Sequence, residues 1–400
     1  MKNRFIHMDI LRFMAALLVV IYHYFYFATH SIVFYKPDTF YTINFFNIFN
    51  FNLSKLIDST TVYGYLGVQI FFVISGFIIL YTAENKTAKD FIISRISRLW
   101  PALAIGSTIA YVLYIILGYH DHLPNITFTN YIFNFFGLTI TPLRPLLATN
   151  FMQTLLGSNL DLEYFDGAMW TLSREVGFYL MILMLIFFKQ IKNIRYYALI
   201  WICSSLMTFI FATQSPNYYI HGLALYLQMD YACFFTLGIF SYLFFCKKEN
   251  TISLFGLILS VFLSIYNVYD QAKVFNFNHI NTANPIIASL IFIIGIIFFI
   301  KIISSNSTIN LENKYSIKTL KYINIAGGMS YTLYIIHQFN MYRIIANYNK
   351  DVNISSIYGS QYNQWTYANT FLALISIVIV TAIIYVYLER PLIKWTKNML

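Results

Sequence analysis

The sequence predicts an all-α fold, a polytopic bundle of about ten transmembrane helices, and three observations predict it. Of 400 residues, 58% are hydrophobic and only 10% are charged, with a mean hydropathy of +0.62. A soluble domain carries roughly 25% charged residues, so this chain has too few to cover a globular surface. Apolar stretches long enough for a bilayer core, about 20 residues as a helix, recur from one end to the other. The net charge of +10 comes from basic residues scattered through short loops, which fits membrane orientation and argues against a nucleic-acid partner. A single membrane domain over 1–400 is expected.

Spans are expected near 9–29, 62–82, 99–119, 168–188, 196–213, 222–246, 251–269, 285–303, 324–346 and 367–388. The first follows Lys2 and Arg4 as a signal peptide would. Asp9 and Arg12 interrupt it, however, and no small-residue cleavage pattern follows, so it reads as an uncleaved span. The segments 30–61 and 120–167 are long, aromatic and polar, which suits recognition of something outside or a structural cap. Within the second, 131–147 is apolar but broken by Asn134, Gly137, Pro142, Arg144 and Pro145, and reads as re-entrant or interfacial. Cys203, Cys233 and Cys246 sit in apolar stretches with neither metal-ligand spacing nor a disulfide framework, so no metal is expected. Ten spans put 18 of the 26 basic residues on one side and 5 on the other, leaving Arg12, Arg174 and Arg343 within spans. That asymmetry predicts both termini in the cytoplasm; an eleventh span at 131–147 would scatter the charges.

Charged side chains inside spans are costly and mark functional sites. In the first span Asp9, Arg12 and His23 share a face. Eleven residues of ideal helix leave Arg12 and His23 roughly 20° apart around the axis and about 16 Å apart along it. Asp9, three residues earlier, can orient the Arg12 guanidinium. Arg12 alone also fits a snorkelling interfacial arginine, and His23 alone an interhelical hydrogen bond. Histidine has the pKa to take a proton from a hydroxyl near neutral pH. The second span, Gly64 to Phe77 with Ser75, is rich in small residues that also suit close packing. Arg95 and Arg98, three apart beside an expected helix start, suit phosphates or a positive-inside anchor. Glu175 is a buried-carboxylate candidate; a pair with Arg174 is awkward because adjacent helical residues diverge by about 100°. Ser330 and His337 share a face of the ninth span, with Tyr331 beside them. Glu389-Arg390-Pro391 reads as a helix-ending proline with a local ion pair.

Taken together and in this order, these segments resemble the acyltransferase-3 family of bacterial membrane O-acyltransferases, over nearly the whole chain. The segments are Asp9 to Arg12 with His23, the Gly67 to Phe77 run, Arg95/Arg98/Pro101, Trp170 to Tyr179, Ser330 to His337 and Glu389-Arg390-Pro391. The resemblance implies transfer of an acyl group, usually acetyl from acetyl-CoA, to a hydroxyl of a glycan or related envelope molecule. It makes Arg12 and His23 the essential pair and Arg95 and Arg98 the cytoplasmic arginine motif. Glu175 becomes the acidic residue after the tryptophan, with Asp9, Ser75, Tyr331 and His337 as supporting candidates. Gln69 stands where the family often has an acid, and Arg174-Glu175-Val176-Gly177 replaces the commoner Val-Glu-Glu-Gln run. The C-terminal hydrolase-like domain of many relatives is not expected here, since 12 residues follow Leu388.

The implied mechanism has cytosolic acyl-CoA docked at Arg95 and Arg98 with Arg12 at the mouth, in the bacterial inner membrane. His23 is then the general base on an outward glycan acceptor, with Glu175 or His337 orienting it, or else an acyl-histidine carrier. A transporter or flippase also fits ten spans with intramembrane charge, although no convincing repeat relates the two halves. A membrane sensor or scaffold is the third reading. No motif selects among O-antigen, capsule and other glycans.

Overall fold

The computed structural model describes residues 6–27, 53–117, 127–141, 164–165, 167–212, 231–249, 251–277, 283–305, 317–351 and 367–400. Among these residues every regular element is helical, and seven helices are long and apolar enough to cross a membrane: His7–Phe27, Leu56–Ala83, Ala88–Leu117, Gly167–Phe187, Thr251–Lys273, Pro285–Ser304 and Thr370–Met399. The chain is a multi-pass membrane protein. The other three expected spans fall on Ile194–Ala212, on the shorter apolar helix Ala232–Cys246 and on Ile317–Asp351. Part of 222–246 lies outside the described residues, as do most of 30–61 and of 120–167.

α1 (Ile6–Ile21) runs on as a π-helical stretch, Tyr22–Phe27. α2 (Leu53–Thr61) leads through a tight turn into α3 (Leu66–Ala83). α4 (Ala88–Leu117) starts where Thr87 and Asp90 cap each other, with Asp90 N–H donating to Thr87 Oγ1 at 3.1 Å. Arg95 and Arg98 are therefore two turns or more inside the helix rather than at its start, and Pro101 lies within it. The expected help from a helix N-terminus is absent there. α5 (Phe128–Phe135) is capped by Thr127 and turned by Gly137 at φ 71. Its eight residues are too short to cross a bilayer, in keeping with the non-spanning reading of the segment.

α6 (Trp170–Phe187), α7 (Ile194–Ala212) and α8 (Ala232–Ser241, widening to π over Tyr242–Cys246) follow. α9 (Thr251–Phe277), α10 (Pro285–Ser305) and α11 (Ile317–Asp351) come next. α12 (Tyr367–Ile384) passes through π-helical Tyr385–Glu389 into α13 (Arg390–Met399). Pro391 does not end this path, because proline is tolerated in the first turn of a helix. Glu389 is buried and bonded to Thr332 instead of pairing with Arg390, which is the correction to the sequence reading.

In lipid, burying apolar surface does little to bring helices together, and close backbone approach does more. Small residues supply it here. A Cβ on Gly76 would strike the Phe235 carbonyl oxygen, and one on Gly238 the Val73 carbonyl oxygen, so α3 and α8 meet backbone to backbone. Gly67, with Gly64 in the turn before it, does the same for α3 against α1, and Gly327 admits Asp9 against α11. α1, α3, α4, α8 and α11 thus form the inner bundle. α10 and α12 lie outside it, with Ile286, Ile294, Phe371 and Ile375 exposed as a lipid-facing side.

Candidate functional site

Two polar layers sit inside the bundle, both anchored on α11. The first is built around Glu175, which is fully buried on α6. Tyr331 Oη donates to its carboxylate at 2.6 Å, Tyr179 Oη at 2.7 Å and Ser75 Oγ at 3.1 Å. The Arg98 guanidinium lies 4.8 Å from the Tyr331 ring centre, and that of Arg95 lies 5.4 Å from Tyr179 and 5.3 Å from Phe91. A carboxylate therefore holds two phenols whose ring faces carry arginines, a favourable stack of charge and quadrupole. Arg12 is 2% exposed, within electrostatic range of Arg98, Tyr331, Asp9 and Glu175. The Nε atoms of Arg12 and Arg98 have no hydrogen-bond partner among the described residues. In the turn joining α3 to α4, burial and the nearby Arg95 and Lys397 push the Lys86 ammonium below its ordinary value. This end of the bundle is a cationic cluster with donors to spare.

The second layer is a histidine pair. His23, half-buried at the start of the widened turn of α1, places Nδ1 3.0 Å from the Val19 carbonyl and 3.1 Å from His337 Nε2. His337 is fully buried, with its Nδ1 2.8 Å from the Tyr334 carbonyl. A carbonyl only accepts, so both Nδ1 atoms carry protons. His337 Nε2 must then accept, and the His23 Nδ1–H is shared between it and Val19. That leaves His23 Nε2 in the neutral ring with a lone pair that has no hydrogen bond among the described residues. The His23 ring lines a cavity of about 380 Å³, together with Trp170, Tyr231, Gln69, Asp270 and Tyr334. π-helical turns are frequent at functional sites, and this one carries the ring that lines the cavity.

Tyr331 and His337 are six residues apart on one helix, about 9 Å of rise, so the layers are successive steps along α11. Of the predicted residues, Glu175, Ser75, Tyr331, Arg95 and Arg98 gather at the first layer, with Asp9 and Arg12 near them, and His23 joins His337 at the second. Glu175 therefore does not orient His23; its hydroxyl partners belong to the arginine layer. Arg174 lies over the Tyr231 ring at 5.9 Å, on another side of α6 from Glu175, as the 100° helical step requires. Sequence reasoning named Glu389 and Gln69 but not their partners, Thr332 for Glu389 and Gln271 for Gln69 at 2.7 Å. It also missed Asp270, which lies near one end of α9.

A family model described as an acyltransferase domain, acyltransferase-3, matches residues 5–389, nearly the whole chain and every residue of both layers. No curated protein and no solved structure matches the chain.

Proposed function

Because the chain belongs to the acyltransferase-3 family, we propose that it moves an acyl group, acetyl in the common case, from cytosolic acyl-CoA to a glycan hydroxyl. The glycan is at the cell surface, such as O-antigen or capsule, and the setting is the bacterial cytoplasmic membrane with both chain termini inside. The observation that carries the reading is the tautomer of His23. Its Nδ1 proton is held by Val19 and His337, and its Nε2 lone pair is left to a cavity large enough for a ligand.

His23 Nε2 takes the proton of an acceptor hydroxyl as the oxygen attacks the thioester carbonyl. Collapse of the tetrahedral adduct expels the CoA thiolate, and the proton on Nε2 passes to it. His337 Nε2 accepts from the imidazolium meanwhile, a bond that strengthens as His23 becomes charged. At the other layer Arg95, Arg98 and Arg12 meet the donor's phosphates, with Lys86 at the mouth; Glu175 fixes the tyrosines on which two of those arginines rest. The distance of about 16 Å from Arg12 to His23 along an ideal helix suits an extended pantetheine arm between the two layers. The same Nε2 lone pair would also serve an acyl-histidine carrier, and trapping of labelled acetyl on the protein separates that route from direct transfer. Incubation of purified protein with labelled acetyl-CoA and a glycan acceptor tests the reading. His23→Ala is expected to lower transfer by about 10²–10⁴-fold in a protein that still folds, and full activity in that variant refutes it.

A further inference from the structure

The cavity in front of His23 has a wall chemistry that the transfer reaction alone does not require. Its aromatic side chains, Trp170, Tyr231, Tyr334, Tyr22 and Tyr65, offer flat apolar faces. Between them runs an amide relay. Gln69 Nε2 donates to Gln271 Oε1 at 2.7 Å, and Gln271 Nε2 donates to Tyr231 Oη at 3.2 Å. The direction of that relay turns Gln69 Oε1 into an acceptor, and this atom is buried without any partner, on a side chain only 3% exposed. An orphaned buried acceptor costs about 1–3 kcal/mol unless something supplies a proton to it. The Gln338 amide also lines the space, and the one charged side chain among the described lining residues is the Asp270 carboxylate. Arg174 stacks on Tyr231 without itself lining the space.

Flat rings against C–H faces, with acceptors ready for hydroxyl protons, are the complement of a pyranose. One carboxylate, with no lysine or arginine among the described lining residues, adds a sign. We propose that this cavity is the acceptor seat and that it selects a neutral or amino-bearing sugar ring, rejecting uronates, sialates and other anionic sugars. Gln69 takes a hydroxyl proton and Asp270 repels a negative substituent. The proposal rests on the reading of His23 as the base that faces the acceptor, and it goes further in assigning Gln69 and Asp270 as specificity-determining residues. The cationic layer near Glu175 makes the separation sharper: anions are received at one end of the bundle and refused at the other.

The test uses three methyl glycosides that differ at one position each: methyl glucopyranoside, methyl glucuronide and methyl glucosaminide. Binding to the full chain in nanodiscs is read by saturation-transfer NMR, with Trp170 fluorescence as a second readout. The glucuronide is expected to bind at least about tenfold more weakly than the glucoside, a like-charge penalty of the size found near a protein surface. Asp270→Asn should narrow that gap and Asp270→Lys should reverse it, while Gln69→Leu should weaken the glucoside itself. Equal binding of glucuronide and glucoside overturns the proposal, as does an Asp270→Asn variant with an unchanged ratio, or failure of all three glycosides to bind. His23→Ala keeps the two readings apart. It should bind the glycosides in the same order and transfer nothing. Transfer by that variant defeats the base assignment alone, whereas a wrong order of binding with transfer intact defeats the selectivity alone.

Discussion

Replacing His337 by phenylalanine isolates one hydrogen bond. The ring volume is nearly kept, the residue is fully buried, and the Tyr334 carbonyl it touches lies in a helix that retains its backbone bonding. What is lost is the Nε2 acceptor 3.1 Å from His23 Nδ1. The Val19 carbonyl at 3.0 Å remains, so the tautomer is still held by one of its two partners. A hydrogen bond between neutral groups is worth about 1 kcal/mol net, and one to a charged group roughly twice that. The bond to His337 therefore favours protonated His23 over neutral His23 by about 1 to 1.5 kcal/mol. With 1.36 kcal/mol per tenfold in rate, kcat should fall about tenfold, far less than for His23→Ala, with the KM for acetyl-CoA unmoved. Steady-state transfer of labelled acetyl in detergent, beside a thermal unfolding curve, measures both. His337→Gln should recover part of the loss by offering an amide oxygen in place of Nε2. Full kcat in His337→Phe, or no recovery in a folded His337→Gln, refutes the assignment of His337 as the positioning residue.

Other outcomes follow from the first layer and from the packing. Tyr331→Phe removes the closest donor to Glu175 and should cost about 1.5–3 kcal/mol in unfolding free energy. Adding Glu175→Gln to that variant should cost less than the same change in the parent, and additive losses would show the two are uncoupled. Arg95→Ala combined with Arg98→Ala should raise the KM for acetyl-CoA at least about tenfold while leaving binding of methyl glucopyranoside unaltered; an unchanged donor KM contradicts the phosphate assignment. Gly76→Val should destabilise the protein by about 1–3 kcal/mol or more, because the new side chain meets the Phe235 carbonyl. A melting curve identical to the parent would remove the seam from the account.

Most of the spans were legible because a bilayer demands about 20 apolar residues in a row and tolerates few charges among them. The start of α4 was misread for the same reason: the onset of hydropathy marks where lipid begins, not where the helix does. The better signal stood eleven and eight residues before Arg98, in Thr87 and Asp90, a side-chain cap of ordinary spacing. Arg12, His23 and Glu175 were visible as polar residues in an apolar setting, but their partners were not. His23 and His337 are 314 residues apart in sequence, and no local pattern ties one to the other. The partner of Glu389 was hidden by a neighbour, since a proline two residues on suggests a stop. The widened turn at Tyr385–Glu389 carries the chain past it and aims the carboxylate inward.

The seam between α3 and α8 bears on what kind of machine this is. With the Phe235 carbonyl seated on Gly76 and the Val73 carbonyl seated on Gly238, each helix is keyed into the other at two points. Neither can slide or roll without driving a carbonyl into a neighbouring main chain. Any movement of one part of the bundle against another therefore has to carry α3 and α8 together, as a single paired unit.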